Sequence, residues 1–243
     1  STIYVEYGRE SSYGVGNVSL AAYSLSEVGT SSEQITAEMN EVPESVNLSD
    51  GTYDWKHFGY STGTTVNRKS TVKSSVIGNA ESLGSSLLRS TDFKTKFSWT
   101  DGTPRKTVSN TKNFAFSTNG EKIKFTVKRG EWDIDVYSSV WRAKGLFVVT
   151  DENGAMINKF KLVGTDAESA YGKLTIHCVA DKPTTITVYI TSAFLDDGNN
   201  GNVSIAAAAM TQTKILSDYS ALENAVKAAQ SVDTTAYTDT SVS

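Results

Sequence analysis

Short runs of alternating apolar and polar residues recur along most of the sequence, and this period-two pattern limits the possible folds more than any other feature. Apolar and basic residues alternate in 122–128, a turn signal follows at Arg129-Gly130, and the alternation returns in 131–136. Further runs lie at 159–163, 172–179, 184–191 and 202–210. Such a pattern is typical of half-buried antiparallel strands.

The turn signals between these runs favour short connections. Arg142 to Gly145 resembles a hairpin turn, and 151–154 (DENG) is a second turn signal after the run 146–149. Nothing between the strands has the length of a helix, which disfavours a parallel α/β fold. The sequence therefore predicts an all-β protein, an antiparallel β-sandwich of the jelly-roll-like kind.

The last thirty residues differ in pattern. Strong helix formers with apolar residues at helical spacing run from Ser220 to Ala229, preceded by the capping candidates Ser217 and Asp218. We expect one short C-terminal helix, followed by a Thr/Ser-rich end.

Charge and cysteine content exclude several classes of function. The net charge is −4 and the basic residues are scattered, which argues against a nucleic-acid partner. No apolar run approaches the roughly 20 residues of a membrane span, so we predict no membrane insertion. The single cysteine, Cys178, can form neither an intrachain disulfide nor a cysteine-based zinc site.

An internal repeat suggests how the chain is divided. Residues 16–25 (GNVSLAAYSL) match 201–210 (GNVSIAAAAM), and 3–7 align with 186–190. The alternative is chance similarity between two strands rich in Ala and Ser. We infer that the chain begins within a strand, and the predicted units are 1–26 as the terminal strands of a preceding copy packed on the main module, 27–41 as a polar linker, 42–212 as the β-sandwich module and 213–243 as a helical tail.

Several stretches of the module resemble a repeated accessory domain of large secreted glycan-active proteins of Gram-positive bacteria. They are 51–59 (GTYDWKHFG), 66–69 (VNRK), 97–104 (FSWTDGTP), 136–137 (VY) and 141–145 (WRAKG). The tail resembles the start of a FIVAR domain, a small helical spacer, through Ala221-Leu222 and 236–238 (AYT).

This resemblance implies a carbohydrate-binding-module-like β-sandwich attached to an extracellular, secreted or cell-surface glycoside hydrolase. The implied function is non-catalytic glycan binding that targets the linked catalytic domain to a polysaccharide or host glycan, with neighbouring modules of the same chain as further partners. The alternative is a structural or adhesive spacer without a sugar site. The resemblance implies no cofactor.

Sugar recognition needs aromatic faces for the apolar side of a pyranose ring and a few placed polar groups for its hydroxyls. Residues of both kinds lie in or near the stretches above, and the predicted ligand-binding residues are Trp55, His57, Tyr60, Arg68, Trp99, Asp101, Arg105, Tyr137, Trp141 and Arg142.

For most of these side chains a structural role competes with ligand binding. Trp132 shares a strand face with apolar residues and is predicted to be core. Trp141 stands at a turn and is open between a core plug and an exposed platform. Trp55 and His57 should point the same way, and Trp99 shares a face with Phe97. The whole set can equally hold the sandwich and its loops in shape.

The sequence offers little for catalysis or metal binding. Glu131, Asp133 and Asp135 lie on one strand face, which favours a solvated surface over a catalytic pair. No G-x-S-x-G motif is present, and only His57 and His177 are available for a triad. The oxygen-rich loop 196–202 departs from the EF-hand pattern, so a plain turn is preferred to a Ca²⁺ site. We predict no catalytic residues and no metal.

Overall fold

The structure is a computed structural model that describes residues 34–84, 86–194, 201–215 and 220–231. All of these belong to one of the two units into which the chain divides, Ser32–Ser243. The other unit is Ser1–Ser31. The predicted terminal strands 1–26 therefore lie outside the described residues, as does the first copy of the repeat.

The described residues consist mainly of antiparallel strands. The early strands are β1 (Gln34–Asn40), β2 (Ser45–Asn47), β3 (Asp54–Phe58), β4 (Val66–Lys69), β5 (Glu81–Ser82), β6 (Leu88–Ser90), β7 (Lys96–Trp99), β8 (Gly102–Thr103), β9 (Val108–Thr111) and β10 (Phe114–Ser117). The later elements are longer: β11 (Glu121–Val127), β12 (Gly130–Trp141), β13 (Ala143–Thr150), β14 (Met156–Gly164), β15 (Ala170–Ala180), β16 (Thr184–Phe194), β17 (Asn202–Lys214) and the helix α1 (Ser220–Gln230).

Two large sheets face each other. The nine-stranded sheet has the order β1-β15-β12-β17-β3-β4-β8, with β10 beside β17 and β6 beside β10. The five-stranded sheet has the order β14-β13-β16-β11-β5. Alternate side chains of both sheets, such as Ile134 and Val136 of β12, Phe125 of β11 and Phe147 of β13, meet in one buried core. The predicted antiparallel β-sandwich with a short C-terminal helix is confirmed.

A third, small sheet covers part of the outer face of the nine-stranded sheet. It has the order β2-β7-β9, and β2 and β7 are parallel. Its residues Phe97 and Trp99 form a second buried cluster with Trp55, Phe93 and Tyr137. The small sheet therefore hides one end of the outer face, and the rest of that face is available for another role.

The polar linker predicted at 27–41 is wrong for its second half. Residues Gln34–Asn40 form β1, an edge strand that pairs with β15 from Gln34 opposite Val179 to Asn40 opposite Lys173. Ile35, Ala37 and Met39 alternate with polar residues and pack against the core, so Glu38 lies on the exposed face of a half-buried strand. The sandwich also extends past 212, because β17 ends at Lys214.

The hairpin predicted at Arg142 to Gly145 is also wrong. β12 pairs with β15 and β17, whereas β13 pairs with β14 and β16 in the other sheet. The chain changes sheets at Arg142, whose φ of 48° is unusual for a residue with a side chain. A Cβ at Gly201 would lie 2.2 Å from the Arg142 carbonyl oxygen, so this corner requires glycine there.

Other local predictions agree with the structure. The runs at 159–163, 172–179, 184–191 and 202–210 lie within β14 to β17. The helix α1 ends with Lys227 in its last turn, where a cation is favourable. Among the described residues, no helix is long and apolar enough to cross a membrane.

Candidate functional site

Three of the predicted ligand residues are interior side chains. Trp55, His57 and Trp99 each have an exposed fraction of 0%. The Trp99 ring centre lies 5.2 Å from that of Trp55 and 5.0 Å from that of His57. A ring without exposed surface offers no face to a sugar, so the predicted ligand role of these three residues is wrong. They pack the small sheet onto the large one.

Burial also determines the protonation of His57. Its ring is surrounded by Trp99, Phe97 and Tyr60, with centroid distances from 5.0 to 6.3 Å. Burial lowers the pKa of His57 to about 3, and the backbone of Asn113 acts weakly in the opposite direction. His57 is therefore neutral across the physiological pH range.

Asp101 anchors the same cluster from its edge. Its Oδ1 accepts hydrogen bonds from Trp55 Nε1 at 3.0 Å and Ser49 Oγ at 2.5 Å, and Lys69 Nζ lies 3.4 Å from Oδ2. Partial burial raises the pKa of Asp101, but these hydrogen bonds and the Lys69 charge outweigh it, so the pKa is lowered overall. The carboxylate holds the loop 100–105 against β3, which is a structural role.

Tyr60 and Arg105 reach the surface beside this cluster. The Arg105 guanidinium lies 5.3 Å from the Tyr60 ring centre, a cation–π contact. The Arg105 carbonyl accepts a hydrogen bond from Trp99 Nε1 at 2.8 Å. Neither side chain lines the cleft described below, and ligand binding by this pair stays a prediction.

Tyr137 is buried, with an exposed fraction of 4%, and its ring meets Phe97 edge-on at 5.4 Å. Burial raises the pKa of its phenol, and Asp135 acts in the same direction. A phenol held in this way packs the cluster, so the predicted ligand role of Tyr137 is wrong as well. Trp132, with an exposed fraction of 1%, is a core residue as predicted.

Trp141 is the one tryptophan of the four that keeps a partly exposed ring. It ends β12 at the corner between the sheets. The Arg142 guanidinium lies 5.5 Å from its ring centre, and Arg142 Nε lies 2.6 Å from Asp166 Oδ1. The Arg142 guanidinium therefore lies beside the Trp141 ring and pairs with a largely exposed carboxylate.

A cleft of about 680 Å³ lies where the small sheet leaves the outer face uncovered. Three of its lining residues lie in one row across four neighbouring strands: Tyr171 of β15 is opposite Ser139 of β12, Ser139 is opposite the buried Ser204 of β17, and Ser204 is opposite Phe116 of β10. At about 4.8 Å per strand, the two aromatic residues stand roughly 14 Å apart. Trp141 lies two residues along β12 from Ser139, so three aromatic side chains of the lining surround this serine.

Ser139 is bonded to the buried Ser204 on the neighbouring strand. The hydroxyls of Ser139 and Ser204 are 2.6 Å apart, and the Ser139 backbone N–H donates to Ser204 Oγ at 3.0 Å. These bonds hold a small side chain between the larger aromatic residues of the lining.

Polar groups stand around the rim. Asp92, Lys94 and Glu168 are exposed, and Asn202 is partly exposed opposite Trp141. Tyr171 is held in place, because its ring meets Phe93 edge-on at 5.2 Å and its hydroxyl donates to the Asp92 carbonyl at 3.4 Å. The site combines fixed rings with carboxylate, ammonium and amide groups.

The cleft continues past Tyr171. A neighbouring cavity of about 320 Å³ shares Lys94, Glu168, Ser169 and Tyr171 with it and extends to Glu41 and Val42, just beyond β1. The two cavities make a groove that crosses β10, β17, β12 and β15 towards β1. Four gaps between strands give a length of roughly 19 Å.

The acidic residues of β12 each contact a neighbouring basic side chain. Asp133 lies 2.9 Å from His177 Nδ1, Asp135 3.3 Å from Lys173 Nζ, and Glu131 3.0 Å from Lys214 Nζ. No group of three His, Cys, Asp or Glu residues able to hold a metal is found among the residues that the structure describes. The oxygen-rich loop 196–202 lies largely outside them.

The groove residues outside the predicted set include Phe116, Ser139, Tyr171, Asn202, Asp92 and Glu168. Alternation along each strand is enough to place Ser139 and Trp141 on one face. It does not say which strand is the neighbour, and only the register of β10, β17, β12 and β15 brings these residues together.

The sequence matches no family model and no curated protein. Among solved structures, it is similar to the CBM36-1 domain of a multidomain xylanase from the hindgut metagenome of Trinervitermes trinervoides, with 11% identity, a TM-score of 0.28, and coverage of 56% of this chain and 98% of that domain. Two structures of CBM51-2 and INT domains from Clostridium perfringens ZmpB, one in complex with GlcNAc, show 13% and 14% identity. Each has a TM-score of 0.34, with 86% of this chain covered and 46% of the other. At this level of similarity these structures do not indicate what the chain binds.

Proposed function

We propose that this chain is a non-catalytic glycan-binding module and that its site is the groove on the outer face of the nine-stranded sheet. The observation that carries the proposal is the placement of Trp141. It is the one tryptophan with exposed ring surface, and it lines a cleft beside Tyr171, Phe116 and Asn202.

The chemistry of the groove suits a pyranose chain. Aromatic rings such as Trp141 and Tyr171 bind the apolar C–H face of a sugar, and a ring held like that of Tyr171 loses little entropy on binding. The carboxylates of Asp92 and Glu168 accept hydrogen bonds from hydroxyls, and the amide of Asn202 both donates and accepts. The length of the groove favours several linked sugar residues over a single terminal one.

The wider context follows from the resemblance in sequence and belongs to the same proposal. The module would stand in a large extracellular, multimodular protein of a Gram-positive bacterium, secreted or attached to the cell surface. Residues 1–26 would be the end of a preceding copy, and the chain after β17, which ends at Lys214, the start of a FIVAR-like spacer. Binding would raise the local concentration of polysaccharide near a linked catalytic domain, and tandem copies would add avidity.

Affinity electrophoresis in gels that contain soluble polysaccharides or mucin tests the proposal. We expect retardation by at least one glycan, and a loss of affinity of at least tenfold, about 1.4 kcal/mol, for Trp141→Ala and for Tyr171→Ala. Tyr189→Ala is the matched control, because it removes a partly exposed aromatic ring from the five-stranded sheet.

Two outcomes count against this function. If no glycan retards the chain, the module is better described as a structural or adhesive spacer. If a glycan binds but Trp141→Ala and Tyr171→Ala behave like Tyr189→Ala, the site lies elsewhere, and Tyr60 with Arg105 becomes the next candidate.

A further inference from the structure

A second cavity, of about 520 Å³, lies at the edge of the nine-stranded sheet, where β3, β4 and β8 meet the loop 70–80. Its wall includes Lys56, Arg68, Lys73, Ser75, Asn79 and Thr103. The lining carries three positive charges and, among the described residues, no carboxylate. It shares no residue with the groove.

Lys56 is the unusual residue of this cavity. Its exposed fraction is 7%, and lysine is rarely so buried without an ionic partner. Its ammonium donates to Asn79 Oδ1 at 2.8 Å and makes no ion pair with the residues that the structure describes. An ammonium has three donor hydrogens, so one neutral acceptor leaves most of its capacity unused.

The charges of Asp54 and Arg68 act on Lys56 in opposite directions. Burial lowers the pKa of Lys56, the nearby Arg68 charge lowers it further, and Asp54 acts in the opposite direction. Asp54 is itself occupied: its carboxylate accepts hydrogen bonds from the backbone N–H groups of Trp55 and Val76 and from Ser75 Oγ. The Asp54 carboxylate therefore neutralises only part of the positive charge that an anion would meet in the cavity.

Arg68 and Lys73 complete the set. Arg68 donates through Nη1 to the carbonyls of Val72 at 2.8 Å and Lys69 at 3.5 Å. These bonds fix the guanidinium in the wall and use only one of its three nitrogens. Lys73 is exposed at the rim, where a flexible ammonium can follow an entering anion.

We propose that this cavity binds a sugar residue that carries a carboxylate or sulfate group. Its volume is in the range of small-ligand sites. The ammonium of Lys56 and the fork of Arg68 are the chemistry that recognises such an oxyanion. Ser75, Asn79 and Thr103 line the same cavity and carry hydroxyl and amide groups of the kind that bind sugar hydroxyls. The groove would then bind the apolar faces and hydroxyls of a glycan, and this cavity would bind an acidic group of a glycan.

The binding test uses four probes with the whole chain: glucuronate, galactose 6-sulfate, inorganic sulfate and uncharged galactose. Isothermal titration calorimetry at low ionic strength should give binding of glucuronate or galactose 6-sulfate at least tenfold tighter than that of galactose. Equal affinity for charged and uncharged sugars overturns the proposal. Binding of inorganic sulfate without binding of either acidic sugar also overturns it, because the cavity would then take a free anion.

Substitutions of the cavity residues test whether the acidic sugar binds in this cavity. Arg68→Gln and Lys73→Gln should each weaken the acidic sugar at least tenfold, and Lys159→Gln, an exposed charge at the far edge of the other sheet, should leave it unchanged. Lys56→Met should lose the binding as well; because it takes a nearby cation from the buried Asp54 carboxylate, its fold is checked by circular dichroism before its affinity is compared. Unchanged affinity in these three cavity variants places the anion elsewhere. Groove binding of neutral glycans does not depend on any of them, so the two proposals fail separately.

Discussion

Between pH 7 and pH 4, the free energy of unfolding should fall by about 3 kcal/mol more in the parent chain than in His57→Phe. The His57 imidazole is fully buried among Trp99, Phe97 and Tyr60, and burial lowers its pKa to about 3 from 6.5. Phenylalanine fits an aromatic surrounding of this kind and cannot take up a proton.

The direction follows from proton binding. Below pH 6.5 the unfolded chain protonates His57, whereas the folded chain keeps it neutral until about pH 3. The unfolded state therefore binds the extra proton across this window. The stability from the neutral histidine is fully present above pH 6.5 and is lost as the pH falls.

Urea unfolding at pH 8, 7, 6, 5 and 4 measures this difference. His177→Gln is the control, because His177 is exposed on β15 beside Asp133. The buried Glu121, whose pKa burial raises well above 4.5, contributes the opposite trend but is present in both chains and cancels. Parallel curves for the parent chain and His57→Phe would mean that the buried environment of His57 has been misassigned.

Trp99→Ala should lower the free energy of unfolding by about 3–5 kcal/mol, whereas Trp141→Ala should lower it by less than about 1 kcal/mol. Trp99 is fully buried between the small sheet and the large one, and its Nε1 donates to the Arg105 carbonyl. Alanine would leave a cavity beside Trp55 and His57 and an unsatisfied carbonyl. Trp141 is partly exposed at the corner after β12, so its truncation removes little packing.

Denaturant unfolding of both variants, with glycan affinity measured in parallel, separates the two roles. We expect Trp99→Ala to retain groove affinity under conditions where it stays folded, because Trp99 does not line the groove. Trp141→Ala should show the reverse pattern of a stable fold and weak binding. Similar losses of stability in the two variants would contradict the division between a packing cluster and a binding groove.

The sequence predicts the second half of the fold well and the first half poorly. From β11 to β17 the strands are 7 to 13 residues long and alternate clearly, so local pattern is enough to find them. From β2 to β10 the strands have 2 to 5 residues, too few for a period to stand out. The small sheet is formed by three of these short strands. It covers Trp55 and Trp99, which are therefore core residues and not exposed ligand residues.

Local sequence pattern is equally insufficient to predict which single residues form the candidate site. A tryptophan next to a polar turn looks the same in sequence whether the turn folds over it or away from it. Trp99 is covered by its own loop, whose Arg105 carbonyl accepts its N–H, whereas Trp141 stands at a corner where the chain leaves the sheet. The groove depends on register: Tyr171 and Phe116 are 55 residues apart in sequence and share a row only because β12 and β17 lie between them.

Quenching of tryptophan fluorescence by acrylamide shows whether a bound glycan covers Trp141 in the groove. Three of the four tryptophans are fully buried, so the quenchable emission of the folded chain comes from Trp141. An oligosaccharide prepared from the glycan that binds best should reduce this quenching in proportion to the bound fraction, and Trp141→Phe should show little quenching with or without it. Saturating binding that leaves the quenching of Trp141 unchanged would contradict the assignment of the groove as the glycan site.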